Sequence, residues 1–154
     1  MKVLIGVDDS AHAETTLAFV RAMSWPANTE FVVASAVPPP FVPYSESYAP
    51  VAVDVGVWLK DLTQLHECLA TRGARRLADA GLHTQARVLQ GDPRGALLEE
   101  TKKENADLVV VGSHGRTGLE KLLMGSVATH VVTHAPCSVL VVKRRVQGGR
   151  GQPA

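Results

Sequence analysis

Short runs of consecutive apolar residues alternate along this chain with stretches in which apolar residues return every third or fourth position. Val3 to Val7 is a β-branched run ending in Asp8-Asp9-Ser10, and Ala13, Leu17 and Val20 then recur at helical spacing between Ala11 and Met23. The pattern predicts a strand followed by a helix. Asp9 or Ser10 is placed to cap that helix, because a short oxygen-bearing side chain accepts from the N–H groups of a first turn. Phe31 to Val37 predicts a second buried strand, halted by Pro38-Pro39-Pro40.

Five of the nine prolines fall between Pro38 and Gly56, together with Tyr44, Ser45, Ser47 and Tyr48, which predicts an extended loop. A long helix is predicted from Val57 to Ala80, with Trp58, Leu62, Leu65, Leu69 and Leu77 as its core side, weakened by Gly73 and ended by Gly81. Thr84 to Leu89 reads as a third strand, and Gly91-Asp92-Pro93 turns the chain into a helix from Arg94 to Glu104, with the proline where a first turn accepts it. Leu108 to Val111 is a continuous apolar run, as in a parallel strand buried on both faces, and opens into Gly112-Ser113-His114-Gly115. Gly125-Ser126 precedes a short helix through Thr133, Ala135-Pro136 stops it, and Ser138 to Val142 is the last strand.

Five short strands alternating with helices predict an α/β doubly wound domain. Its five-stranded, mainly parallel sheet should have the order 3-2-1-4-5, since parallel strands need crossovers and these are nearly always right-handed. Ligands in such sheets bind beyond the carboxyl ends of the strands, where the winding reverses. That rule selects the loops after strands one and four. The organisation expected is one domain over residues 1–143 and a basic, glycine-rich, disordered tail over 144–154.

With 154 residues the chain is long enough for one real core. Its 16 basic and 15 acidic residues leave a net charge of +1, so there is no electrostatic footprint for nucleic acid or an anionic membrane, and an anion site must be built locally. No apolar stretch reaches the ~18 residues of a membrane span. The amino terminus runs straight into a strand pattern, which makes the cytoplasm the expected location. Cys68 and Cys137 show neither a disulfide framework nor zinc spacing, and reduced, buried thiols are expected.

The turn after strand one carries Asp8 and Asp9 and no glycine, which excludes the GxGxxG dinucleotide fingerprint; the GxxxxGK[ST] loop is missing as well. The loop after strand four differs. Gly112, Gly115 and Gly125 let backbone amides reach an anion without a Cβ in the way, and the helix after Gly125 aims its free N–H groups and positive dipole end the same way. Together they predict a phosphate cradle. Ser126 can donate its hydroxyl to a phosphate oxygen or cap its own helix. His114 lies in the loop without evidence of acting as a base. His130 and His134 share a helical face, but the HExxH glutamate is missing, so a solvated pair is expected.

The run Val111-Gly112-Ser113-His114-Gly115-Arg116-Thr117-Gly118, then Met124-Gly125-Ser126-Val127-Ala128 and Ala135 to Val142, resembles the signature of the universal stress protein family in its ATP-binding branch, and Gly6-Val7-Asp8-Asp9-Ser10 extends the likeness. The resemblance implies a Rossmann-like, adenine nucleotide alpha hydrolase-like sandwich that dimerises and binds ATP across strands one and four. By position it implies that Asp8 lies near the ribose or a bound Mg or Mn ion, and that the backbone around Ala36 borders the adenine. It also implies that Gly112, Gly115, Gly125 and Ser126 hold ribose and phosphates. Arg116 and Lys121 either screen phosphate charge or serve the surface. Asp9 and Ala36 depart from the family's usual small residue and valine. Two functions follow as expectations: a nucleotide-dependent stress-response or signalling module, or a slow metal-dependent ATPase using Asp8. The first is favoured because no general base is evident beside the phosphates. A structural dimer without nucleotide is a weaker third. The exposed edge of Ser138 to Val142 predicts a homodimer by antiparallel pairing of that strand.

Overall fold

The computed structural model describes residues 1–39, 55–115 and 124–144. Nine elements follow one another: β1 (Lys2–Gly6), α1 (Ala11–Ala22), β2 (Glu30–Val37), α2 (Val55–Ala78), β3 (His83–Gln90), α3 (Pro93–Lys103), β4 (Leu108–Gly112), α4 (Ser126–His134) and β5 (Ser138–Val142). The strands form one sheet in the order β3-β2-β1-β4-β5, with every neighbouring pair parallel. This is the predicted winding, with its reversal between β1 and β4.

Side chains of a strand alternate between faces, and β1 divides its apolar residues accordingly. Val3, Ile5 and Val7 join Leu17 and Val20 of α1 and Ala74 and Leu77 of α2 in one core cluster. Leu4 joins Leu97 of α3 and Val131 of α4 in the other. The central strands are thus covered on both sides, which is why their sequences are almost uninterruptedly apolar.

The long helix departs from its prediction in the face it buries. Leu69 and Leu77 are buried, but Trp58 and Leu65 are exposed at 39% and 41%. The buried stripe runs instead through His66, Leu69, Ala70, Ala74 and Leu77. Small residues decide this rotation, because they let the helix axis approach the sheet where a line of leucines would hold it off. Gly73 marks a close approach: a Cβ there would stand 3.0 Å from Val33 Cγ1. The residue that weakens the helix locally is the one that seats it. Gly56, placed in the proline-rich loop from sequence, is already helical. Cys68 is exposed on α2 and Cys137 is half-buried, so neither thiol is the fully buried kind expected; both are free.

Most of the predicted proline-rich loop, including Tyr44 and Tyr48, lies outside the described residues, as do Arg116 and Lys121 and the tail from Arg145. None of the described helices is long and apolar enough to cross a membrane.

Candidate functional site

Beyond the carboxyl ends of β2, β1 and β4 lies a cavity of about 410 Å³. It brings together Asp8, Ala36, Gly112, Gly115, Gly125 and Ser126, every described residue singled out from the sequence as a ligand contact. Arg116 completes that set in the sequence but falls outside the described residues.

Asp8 is positioned by its own turn. Val7 N–H donates to Ala34 O at 2.9 Å, which holds the chain against β2 for one residue past the strand. Asp8 Oδ1 then accepts from Ser10 N–H at 3.1 Å and from Ser10 Oγ at 2.5 Å. Ser10 Oγ accepts in turn from Ala13 N–H at 3.2 Å, making Ser10, not Asp9, the cap of α1. Ser10 has the shorter reach: its hydroxyl both receives the helix N–H and gives its proton to Asp8. The second carboxylate oxygen, Oδ2, lies on the side of the glycine loop, 2.9 Å from where a Cβ on Gly115 would stand. No side chain fits at position 115 without displacing that carboxylate.

The glycine loop is closed on itself by main-chain bonds. Ser113 N–H donates to Val142 O at 2.8 Å, and Gly125 N–H donates to Ser113 O at 2.7 Å. This second bond brings Gly125 beside Gly115, and a Cβ on Gly125 would meet His114 Cα at 3.2 Å and Ser113 O at 3.3 Å. Gly112 has a different part in the site. A Cβ there would face α1, 3.1 Å from His12 Cβ and 3.2 Å from Thr16 Oγ1, so the missing side chain lets helix and strand pack. His114 lines the cavity, with its ring 5.2 Å from that of His12 and its Nδ1 3.1 Å from Ser113 Oγ.

Helix α4 begins at the cavity. Its cap residue is Gly125, which makes no side-chain capping bond, and Ser126 is the first helical residue. Of the two roles open to Ser126, capping its own helix is therefore excluded; its exposed position is at the cavity wall. The first-turn N–H groups of a helix have no intrahelical acceptor and carry the positive end of its dipole. Here they meet a wall in which, among the described residues, Asp8 is the one carboxylate.

The structure also supplies wall residues that the sequence reading did not single out. Gly6 lies beneath the cavity, where a Cβ would come within 3.1 Å of Leu97 Cδ1. His66, from the middle of α2, is 5% exposed and lines the same space. Its signal in the sequence is a histidine at an apolar-stripe position, four residues after Leu62 and three before Leu69. His130 and His134 stand away from this cavity; their rings are 4.3 Å apart, and His134 Nδ1 lies 2.9 Å from the carbonyl of His130, to which it donates. The described residues contain no cluster of three or more metal-ligating side chains.

Comparison with known proteins agrees with this fold. The chain is 36% identical over 112 residues to universal stress protein MJ0531 of Methanocaldococcus jannaschii, covering 65% of this chain and 66% of that protein. It thus spans just under two-thirds of that relative's length, and 56% of a second, Slr1101 of Synechocystis. Among solved structures, MJ0577, also from M. jannaschii, superposes with a TM-score of 0.75 at 26% identity, covering 94% of this chain and 96% of its own. An Arabidopsis thaliana universal stress protein with AMP bound shares the fold at a TM-score of 0.62 and 18% identity, covering 94% of this chain and 92% of its own. Two further family structures, in complex with cAMP and with dAMP, align at TM-scores of 0.62 and 0.61 and at 22% and 17% identity. The Universal stress protein family model matches residues 1–143, and with that match over nearly its whole length the chain belongs to the universal stress protein family.

Proposed function

We propose that this protein is an ATP-binding module whose occupancy alters its contacts with a partner in a stress response. One observation carries the reading: the amino end of α4, without a side-chain cap, opens onto the same cavity as Asp8 and the glycine pair Gly115 and Gly125. Adjacent strands lie about 4.8 Å apart, so the distance from β2 across β1 to β4 is roughly 10 Å. That is the scale of a nucleoside with its first phosphate. The apolar end, with Ala34, Ala36 and Leu97, suits a base. Asp8, beside the middle strand, suits ribose hydroxyls, and the glycines with Ser126 suit phosphate oxygens. The family structures carrying AMP, cAMP and dAMP support an adenine nucleotide.

A divalent ion entering with the nucleotide suits the residues present. Mg²⁺ or Mn²⁺ takes oxygen ligands, commonly one or two carboxylates plus substrate phosphates, and Asp8 is the carboxylate lining this cavity. Such an ion supplies neutralisation of phosphate charge. Dimerisation through β5 belongs to the same proposal: β5 ends the sheet, and Val139 to Val141 are only half-buried. Light scattering during size exclusion at tens of micromolar should find a dimer, and monomer alone removes that part.

Mass spectrometry of whatever copurifies, followed by calorimetry with ATP and Mg²⁺, tests the site. Micromolar binding corresponds to about 8 kcal/mol. Gly115→Val, which drives a side chain against Asp8, should weaken binding at least tenfold in a folded protein. Unchanged affinity would refute the site. Phosphate release that is steady and lost in Asp8→Ala would make the protein an ATPase instead.

A further inference from the structure

His66 is held in a defined tautomer. Ser35, fully buried on β2, places Oγ 2.9 Å from Val7 O and 2.8 Å from His66 Nδ1. A hydroxyl has one proton and a carbonyl can only accept, so the proton of Ser35 goes to Val7 O. Ser35 Oγ is then the acceptor toward His66, and Nδ1 carries the hydrogen. In the neutral ring this makes Nε2 the acceptor. The imidazole is carried on the helix that packs against β2 at Gly73, and it lines the cavity together with Ala36, the residue after Ser35.

Resting on the nucleotide reading, we infer that His66 determines base specificity, with Nε2 accepting a hydrogen bond from the exocyclic amine of a 6-aminopurine. A 6-oxo purine presents an oxygen at the same place, and two acceptors facing each other leave both without a proton. A site built around such a bond rejects the analogue that cannot make it, because the buried group is left unpaired. The discrimination comes from a side chain and is separate from any backbone contact near Ala36.

ATP and ITP differ at that position and at the adjoining N1, which is bare in ATP and protonated in ITP. N6,N6-dimethyl-ATP, which keeps the adenine ring but has no exocyclic N–H, is therefore the second comparison and should bind as weakly as ITP. Calorimetry on the full chain should show ATP preferred over ITP by about tenfold or more. His66→Phe should reduce the preference to within about twofold, and Ser35→Ala, which frees the tautomer, should reduce it partly. Equal binding of ATP and ITP by the unaltered protein, or a preference that survives His66→Phe, overturns the role of His66 and leaves the nucleotide site standing. Binding of neither nucleotide overturns both. Should His66→Phe fail to fold, two-bond ¹H–¹⁵N spectra of the unaltered protein decide the matter. A proton on Nδ1, with Nε2 shifting on addition of ATP and not of ITP, is the result expected; a proton on Nε2 overturns the inference.

Discussion

At the amino ends of the strands, Lys2 Nζ lies 2.9 Å from Glu104 and 3.9 Å from Glu30, while Lys2 N–H donates to Asp107 at 2.7 Å. The hydrogen bond to Lys2 holds the Glu104 carboxyl below its ordinary pKa and, reciprocally, raises that of Lys2. At the carboxyl ends the chain spends its polar groups differently. The helices begin there; Ser10 caps α1 and Asp92 caps α3, but α4 starts at Gly125 with no capping side chain. One rim pairs its charges with one another. The other leaves main-chain donors at a cavity, where a ligand's oxygens can complete them. Parallel strands joined by helical crossovers force this asymmetry, because every helix starts on the carboxyl side.

Substitutions at the two rims should therefore separate affinity from stability. The largest effect is expected from Gly125→Val, whose side chain meets the backbone of Ser113 and His114. ATP affinity should fall at least tenfold, about 1.4 kcal/mol, with the fold retained by circular dichroism. Next is Asp92→Ala on the capped helix α3. Asp92 accepts from Arg94 N–H at 2.9 Å, and its loss should lower unfolding free energy by about 1 kcal/mol in denaturant titration without changing ATP affinity. A changed affinity there would break the contrast between capped and uncapped helices.

Asp92 also sets an acid limb. Hydrogen bonds from the Arg94 side chain and backbone pull its pKa to about 2, from an ordinary 3.8. Because the folded state favours the ionised form, this contribution is complete above the ordinary value and is lost as pH falls from about 4 toward 2. Stability measured against pH should drop less steeply over that window in Asp92→Ala. The smallest effect belongs to Glu104→Gln at the amino rim. A part-exposed ion pair is worth ~0.2–1 kcal/mol, so the melting temperature should fall slightly, more at low salt than at high, with ATP binding unchanged.

Much of this was legible in the chain itself. The apolar runs and their turn residues placed all five strands within a residue or two, and β5 matched its predicted span of Ser138 to Val142. Asp8, Ala36 and the three loop glycines were singled out from sequence and share one cavity. The misjudged details have a common cause. Asp9 and Ser10 are equally able caps by composition, and only the turn geometry gives the bond to Ser10. The leucine line of α2 suggested one buried face, whereas contact with Val33 and Leu17 at Gly73 chose another.

The sequence by itself determined the order of elements, the winding of the sheet and the loops at its reversal, because strand periods, helix periods and turn residues are properties of neighbours along the chain. Only the tertiary structure decided how α2 is rotated about its axis, and hence that His66 reaches Ser35 and the cavity while Trp58 faces outward. Such a rotation is set by close packing between residues far apart in the chain, and a periodic pattern leaves it open by a fraction of a turn.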